Sequence, residues 1–109
     1  MIFQGSLIYW KSDKVKFLVK IKIKSPCSAS EIIKYGMKNW PIWECEPSKF
    51  LWSYKEKEIC LIIEGEASIY MSEGKLLYLK SGDLVEFPKG LKCEWQITKK
   101  IKKHFRLGD

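Results

Sequence analysis

Hydrophobic and polar side chains alternate in the first part of the chain, over residues 15–24. One face of this segment is apolar and the other carries mostly lysine. The apolar positions are Val15, Phe17, Val19, Ile21 and Ile23. A period of two residues predicts a β-strand, and a lysine-rich outer face is typical of an edge strand that stays soluble and unpaired. We therefore predict an exposed edge strand here.

From residue 41 onward the chain consists of short apolar segments separated by turn residues. These segments have the length and composition of strands. The predicted strands are residues 42–46, 49–54, 58–64, 67–71, 75–80, 84–87, 92–98 and 101–106. Many short strands with glycine and proline turns predict an all-β sandwich or barrel.

One short helix is predicted between the first strand and this series. Ser28 and Glu31 have the spacing of a capping box, and Pro26 precedes them. Apolar side chains recur through residues 31–38. The Asn-Trp-Pro sequence at residues 39–41 is expected to end the helix.

Length and composition indicate a single domain. The chain has 109 residues, 46% of them hydrophobic and 14% aromatic, which excludes intrinsic disorder. The longest apolar run, residues 59–63, is far shorter than the roughly 18 residues of a membrane-spanning helix. Because the first ten residues also lack a basic n-region, we expect a cytoplasmic protein with no membrane partner.

The formal net charge of +7 is concentrated at the two ends of the chain. Residues 1–24 carry +5, residues 98–109 carry +4 and the segment between them carries −2. The lysines near the end are Lys99, Lys100, Lys102 and Lys103, which bracket Ile101. No nucleic-acid-binding motif accompanies these lysines. We interpret them as a solvated strand face and expect no nucleic-acid partner, with a basic nucleic-acid surface as the alternative.

Cysteine and histidine give little sign of a structural metal site. The four cysteines are Cys27, Cys45, Cys60 and Cys93, and they form no C-x-x-C pair. We predict reduced thiols, because nothing in the sequence indicates secretion. His104 is the single histidine, so we expect no structural zinc. A nucleophilic pair of Cys93 and His104 is a further hypothesis.

Two glycine-containing spacings have the form of a known pair of motifs. Residues 58–65 read E-x6-G and residues 82–90 read G-x5-P-x-G. Glycine supplies turn conformations at the ends of hairpins, and the Pro-x-Gly sequence makes a rigid turn between strands. Together the two spacings resemble the skeletons of the two cupin motifs.

Four longer segments carry a narrower resemblance. They are N-W-P-I-W-E from Asn39, W-S-Y-x3-E-I-C-x3-E-G from Trp52, G-D-L-V-E-F-P-K-G-L-K-C-E-W from Gly82 and K-K-H-F-R from Lys102. They are similar to single-domain cupins related to the ureidoglycine aminohydrolase cupin domain, over residues 21–106. The resemblance implies a cupin double-stranded β-helix, or jelly-roll barrel, with one short N-terminal helix, and a homodimer. Residues 21–109 then form a single cupin domain, and residues 1–20 are either an added edge strand or a flexible leader.

Most metal ligands of the cupin motifs are replaced in this sequence. When Glu58 is aligned with the motif glutamate, Trp52 and Tyr54 stand at the two histidine positions. Cys93 stands at the histidine of the second motif. Divalent transition metals need several imidazole or carboxylate ligands, and the indole N–H of tryptophan cannot coordinate one. We therefore expect no metal cofactor, with an atypical site of Glu58, Cys60 and Cys93 as the alternative.

Strand alternation predicts which side chains face the interior of the barrel, since alternate residues share a face. With Glu58 pointing inward as the motif implies, the inward set is Trp52, Tyr54, Glu58, Cys60, Cys93 and Trp95. This set predicts an aromatic pocket with few polar groups. An unpaired buried charge is costly, so Glu58 is expected either to be protonated or to bind Tyr54, an indole N–H or a lysine.

Two functions follow from this pocket. The first is the binding of a small polar metabolite without a histidine-liganded metal. The second is an enzyme, a small-metabolite hydrolase or isomerase similar to ureidoglycine aminohydrolase, that uses Glu58 as acid and base or uses the atypical metal site. For Trp52 and Trp95 core packing is favoured over a role as a ligand platform, because large aromatic side chains dominate core burial. Trp10, Trp40 and Trp43 are assigned to packing or a dimer surface.

Overall fold

The computed structural model describes the backbone of residues 7–11 and 18–108, and the side chains of residues 21–108. Its strands are β1 (Leu7–Lys11), β2 (Leu18–Lys24), β3 (Ile42–Cys45), β4 (Ser48–Ser53), β5 (Glu58–Tyr70), β6 (Leu76–Lys80), β7 (Leu84–Phe87) and β8 (Lys92–Leu107). The helix α1 is Ala29–Lys34, and Met37–Asn39 and Ser72–Gly74 form short 3-10 turns. The predicted all-β jelly roll with one short helix is confirmed.

All strand pairs of the described sheet are antiparallel. The order is β1-β2-β7-β5-β8-β3, while β4 also pairs with β8 and β6 also pairs with β5. The two long strands β5 and β8 lie at the centre and pair along most of their length, from Glu58 opposite Leu107 to Tyr70 opposite Glu94. These two strands pair directly with β3, β4, β6 and β7, and β2 and β1 extend the sheet from β7.

The predicted breaks inside β5 and β8 are wrong, since each pair of predicted strands forms one continuous strand. The pairing of β5 with β8 shifts register between Ile62 and Ala67, which is the signature of a β-bulge. Gly65 lies there with φ of 96°, and an added Cβ would lie 2.0 Å from the carbonyl oxygen of Lys100. Glycine at this position thus bends the strand and admits a close neighbouring backbone instead of ending the strand.

The first predicted strand is not an edge strand. β2 pairs with β1 on one side and with β7 on the other. Ile21 and Ile23 are buried, as the alternation predicted, and the ammonium of Lys22 lies 3.6 Å from the carboxylate of Glu86. Val15 and Phe17 lie outside the described residues. The division of the chain at residue 20 stays a prediction.

Helix α1 begins where the capping pattern places it and ends early. The backbone N–H of Glu31 donates to the hydroxyl of Ser28 at 3.2 Å. Gly36, at φ of 61°, ends the helical run before the 3-10 turn. Among the described helices, none is long and apolar enough to cross a membrane.

Strand β5 is buried on both faces at its start. Cys60 and Ile62 belong to the main core inside the roll. Ile59 and Leu61 face a smaller core beneath α1, where Met37 is fully buried. This double burial explains why residues 58–62 are all buried, and it fixes which side of β5 Glu58 faces.

Candidate functional site

An aromatic cavity of about 240 Å³ opens among strands β3, β4, β5 and β8. Its lining is mostly aromatic and contains one carboxylate and one ammonium. The lining residues are Trp43, Phe50, Trp52, Tyr54, Glu58, Trp95, Lys103, Phe105 and Leu107. This composition resembles that of small-molecule sites in other proteins, which are mainly apolar with a few placed polar groups.

Cross-strand pairing brings these side chains together. Phe50 on β4 lies opposite Trp95 on β8, and Trp43 on β3 lies opposite Lys103. Tyr54 follows β4, where its backbone exchanges hydrogen bonds of 2.7 and 2.9 Å with Gly90 and Leu91. The turn of the second motif therefore holds Tyr54 in place.

The predicted inward set divides into two groups. Trp52, Tyr54, Glu58 and Trp95 line the cavity. Cys60 and Cys93 do not line it and are buried in the core with Tyr54 and Trp95. Their part in ligand binding stays a prediction.

The interpretation of Lys103 as part of a solvated face is wrong. Lys103 is 7% exposed, and its Nζ lies 2.7 Å from Oε2 of Glu58. On β8 the side chains of Ile101, Lys103 and Phe105 share the inner face, so the alternation that predicted other strands also applied here. The lysines around Ile101 suggested a solvated face, because their spacing alone does not show which lysine faces inward.

Trp43 and Phe50 also belong to the site, although neither was in the predicted set. Trp43 was assigned to packing or a dimer surface, and it lines the cavity while packing against the core. Phe50 has the same strand parity as Trp52, which was the available signal.

Glu58, Cys60 and Lys103 form a buried polar cluster at the base of the cavity. Oε2 of Glu58 accepts a hydrogen bond from Lys103 Nζ and another from Cys60 Sγ, both at 2.7 Å. The same Nζ lies 4.8 Å from the ring centroids of Trp43 and Trp95, within range of cation–π attraction. Glu58 was expected either to be protonated or to bind a partner, and in the structure its partner is the lysine Lys103.

The environment of the cluster changes the acidity of its members. Burial lowers the pKa of Lys103, but the facing acidic groups Cys60 and Glu58 raise it by more, so the net shift is upward. Burial strongly raises the pKa of the Cys60 thiol and raises that of Cys93 to about 12. At neutral pH Lys103 is therefore an ammonium and both thiols keep their protons.

Stacked and edge-on aromatic contacts give the cavity a fixed wall. Tyr54 stacks on Phe87 with ring centroids 4.7 Å apart, and the indole N–H of Trp95 donates to the Tyr54 hydroxyl at 3.2 Å. The rings of Phe50 and Trp95 are parallel to within 4° at a centroid separation of 6.3 Å. Trp52 is 49% exposed and stands at the mouth. The wall is closely packed at its base and accessible at its rim.

The residues of the cavity do not fit a divalent metal. Trp52 and Tyr54 occupy the histidine positions of the first cupin motif, and the carboxylate that remains is bonded to the Lys103 ammonium. Over residues 7–11 and 18–108 no group of three or more histidine, cysteine, aspartate or glutamate side chains is arranged to hold a metal ion. The ammonium lies beside Oε2, where a cation bound by that oxygen would be.

His104 is turned away from the cavity and does not pair with Cys93. Its Nδ1 lies 2.9 Å from the carbonyl oxygen of Trp40, next to the small core under α1. Cys93 faces the main core on the other side of β8. The hypothesis of a nucleophilic dyad is therefore wrong.

Comparison with known proteins finds a matching family model and similar solved structures for this chain. The family model described as the EutQ-like cupin domain matches residues 34–105. A DUF861 family protein from Thermotoga maritima has 39% sequence identity and a TM-score of 0.76, covering 80% of this chain and 98% of its own. A search of the curated proteins found no match.

Two more distant structures share the fold alone. The EutQ protein of Clostridium difficile has 21% identity and a TM-score of 0.54, covering 80% of this chain and 61% of its own. A DUF861 family protein of unknown function from Pseudomonas syringae pv. tomato has 18% identity and a TM-score of 0.56, covering 95% of this chain and 45% of its own.

Proposed function

The chain belongs to the EutQ-like cupin domain family, and we propose that it binds a small metabolite in the aromatic cavity without a histidine-liganded metal. The observation that carries this proposal is the Glu58–Lys103 pair, which lines an otherwise mostly aromatic cavity. A buried ion pair adds little net stability compared with apolar side chains of similar size. Binding of a ligand to the two charged groups would explain the presence of the buried pair, which its small contribution to stability does not.

The size of the cavity supports a small ligand. Pockets for drug-sized ligands measure roughly 300–1,000 Å³, and this one measures about 240 Å³. The exposed half of Trp52 is an accessible aromatic surface at the mouth, where a ligand would enter.

We test the proposal by thermal shift with a panel of small metabolites and two matched variants. Trp52→Ala removes the aromatic side chain at the mouth, whereas Tyr78→Ala removes one that is 69% exposed on β6, outside the lining of the cavity. A ligand at 100 times its Kd adds about 2.7 kcal/mol to stability. We expect the stabilisation to persist in Tyr78→Ala and to fall in Trp52→Ala. Stabilisation that Trp52→Ala leaves unchanged would contradict the proposal.

A second candidate is an enzyme similar to ureidoglycine aminohydrolase, a small-metabolite hydrolase or isomerase. The observation that favours it is the proximity of a carboxylate and an ammonium at 2.7 Å, because Glu58 can then serve as base while Lys103 serves as acid. Each metabolite that binds is incubated with wild type, Glu58→Gln and the exposed control Glu46→Gln, and products are followed by NMR. Turnover that survives Glu58→Gln excludes Glu58 as the acid–base group.

A further inference from the structure

The polar groups of the cavity offer a ligand one acceptor and one donor side by side. Oε2 of Glu58 accepts both the Lys103 and the Cys60 hydrogen bonds, and no described side chain donates to Oε1. An ammonium has three N–H donors, and the hydrogen bond to Glu58 uses one of them. About 8% of each of the Glu58 and Lys103 side chains stays exposed, and both line the cavity.

The ion pair also selects against charged ligands. An anion that approaches Lys103 comes close to the carboxylate of Glu58, whose oxygen is only 2.7 Å from the ammonium. A cation that approaches Glu58 meets the ammonium in the same way. Within a mostly apolar lining these repulsions are poorly screened. The cavity therefore favours a ligand without net charge.

The walls favour a flat ligand. Six of the nine lining residues are aromatic, and the rings of Phe50 and Trp95 are parallel to within 4°. Aromatic faces attract planar π systems in offset or edge-to-face arrangements. A volume of about 240 Å³ has room for a single ring with small substituents.

We propose that the ligand is a small, planar, uncharged molecule that carries a carbonyl oxygen next to an N–H group, as in a lactam heterocycle. The carbonyl oxygen accepts a hydrogen bond from Lys103, and the N–H donates to Oε1 of Glu58. This inference rests on the proposed function, since it names the ligand class of the same cavity.

Four single-ring probes test the inference on the wild-type protein. 2-Pyridone has the adjacent carbonyl and N–H, and N-methyl-2-pyridone has the same ring and carbonyl without the donor. Benzoate and benzylammonium carry one negative and one positive charge. Dissociation constants are measured by NMR titration at equal ionic strength. We expect 2-pyridone to bind at least about tenfold more tightly than each of the other three, which corresponds to about 1.4 kcal/mol.

Two variants test the charge selection separately. Glu58→Gln leaves the ammonium without its counter-charge, so benzoate should gain affinity relative to wild type. Lys103→Met leaves the carboxylate, so benzylammonium should gain affinity. The exposed variants Glu46→Gln and Lys92→Met control for the change in net charge, and circular dichroism confirms folding. If a cavity variant does not fold, the ranking of the four probes on wild type still decides.

The outcomes separate the two proposals. Tightest binding of benzoate or benzylammonium, or equal binding of both pyridones, would overturn the inference and leave metabolite binding in the cavity intact. Failure of all four probes and of the metabolite panel to bind would overturn the proposed function and this inference with it.

Discussion

The ammonium of Lys103 lies 2.7 Å from a carboxylate oxygen of Glu58, although 45 residues separate them in the chain. The two meet because β5 and β8 pair along their length and because the same face of each points into the roll. Trp43 and Trp95 lie beside the ammonium at equal distances of 4.8 Å. The charge pair is thus built into the most extensively paired part of the sheet.

Breaking this pair should destabilise the protein strongly. Lys103→Met leaves a buried carboxylate without its counter-charge, which costs about 3–5 kcal/mol. The double variant Glu58→Gln/Lys103→Met removes both charges and should recover much of that loss. Free energies of unfolding from urea titrations measure both effects.

The matched control for this prediction is an ion pair at the surface. Lys99 Nζ lies 2.6 Å from Glu66, and its side chain is 73% exposed. Lys99→Met should change stability little, because solvent screens the exposed pair. If Lys99→Met and Lys103→Met lowered the free energy of unfolding equally, burial of the Glu58–Lys103 pair would have no energetic consequence.

Two tryptophans of the cavity should respond differently to truncation. Trp95 is 2% exposed and contacts three aromatic rings, so Trp95→Ala should cost about 3–5 kcal/mol. Trp52 is 49% exposed, so Trp52→Ala should cost markedly less. Thermal unfolding distinguishes the two. A larger loss in Trp52→Ala would contradict the assignment of Trp52 to the mouth.

Gly65 should tolerate no side chain. Both Gly65 and Gly90 have positive φ, and a left-handed conformation costs a residue other than glycine roughly 1–2 kcal/mol. A Cβ at Gly65 would also collide with the Lys100 carbonyl oxygen, whereas one at Gly90 would meet nothing within 4 Å. Gly65→Ala should therefore lose about 1–3 kcal/mol more than Gly90→Ala in urea titrations. Equal losses of stability in the two variants would mean that the backbone conformation alone causes the destabilisation.

The core thiols should resist alkylation in the native state. Burial raises the pKa of both Cys60 and Cys93, and only the thiolate reacts. With iodoacetamide at pH 8, peptide mapping by mass spectrometry should find Cys45, which is only partly buried, modified first. Early modification of Cys60 would show that the core opens more readily than its packing indicates.

Stability should fall in alkali. The pKa values of Cys60 and Cys93 are raised above the ordinary 9.0, and that of Lys103 is raised above 10.5, so the folded state retains protons that the unfolded state releases. The corresponding stability is complete below about pH 9 and is lost as the pH rises toward the folded-state values. Urea titrations followed by circular dichroism from pH 7 to 10.5 measure the slope. In Cys60→Ala/Cys93→Ala the decline between pH 9 and 10 should be shallower.

Local patterns predicted the elements of this fold well. The short apolar segment between turn residues predicted β7 at its observed bounds, residues 84–87, and the capping pattern at Ser28 predicted the start of α1. The jelly roll itself was implied by the resemblance to the cupin motifs. The strand and the helix cap depend on neighbouring residues, which is why the sequence alone contains them.

The features that were mispredicted depend on contacts between distant segments. Gly65 has the composition of a turn, and only the approach of the Lys100 backbone makes it a bulge inside a continuous strand. Lys103 has the composition of a surface residue, and only its pairing with Glu58 explains its burial. Composition describes a residue's average environment, whereas these two positions are set by a particular partner.

Consecutive residues of β8 lie in two different environments, since Lys103 faces the cavity and His104 faces the core under α1. Deleting Lys102 from this strand would shift the side chains that follow by one position and exchange their faces. An imidazole would then stand beside the carboxylate of Glu58, and the ammonium would point outward. The length of this stretch, and not only its composition, decides which chemistry the cavity contains.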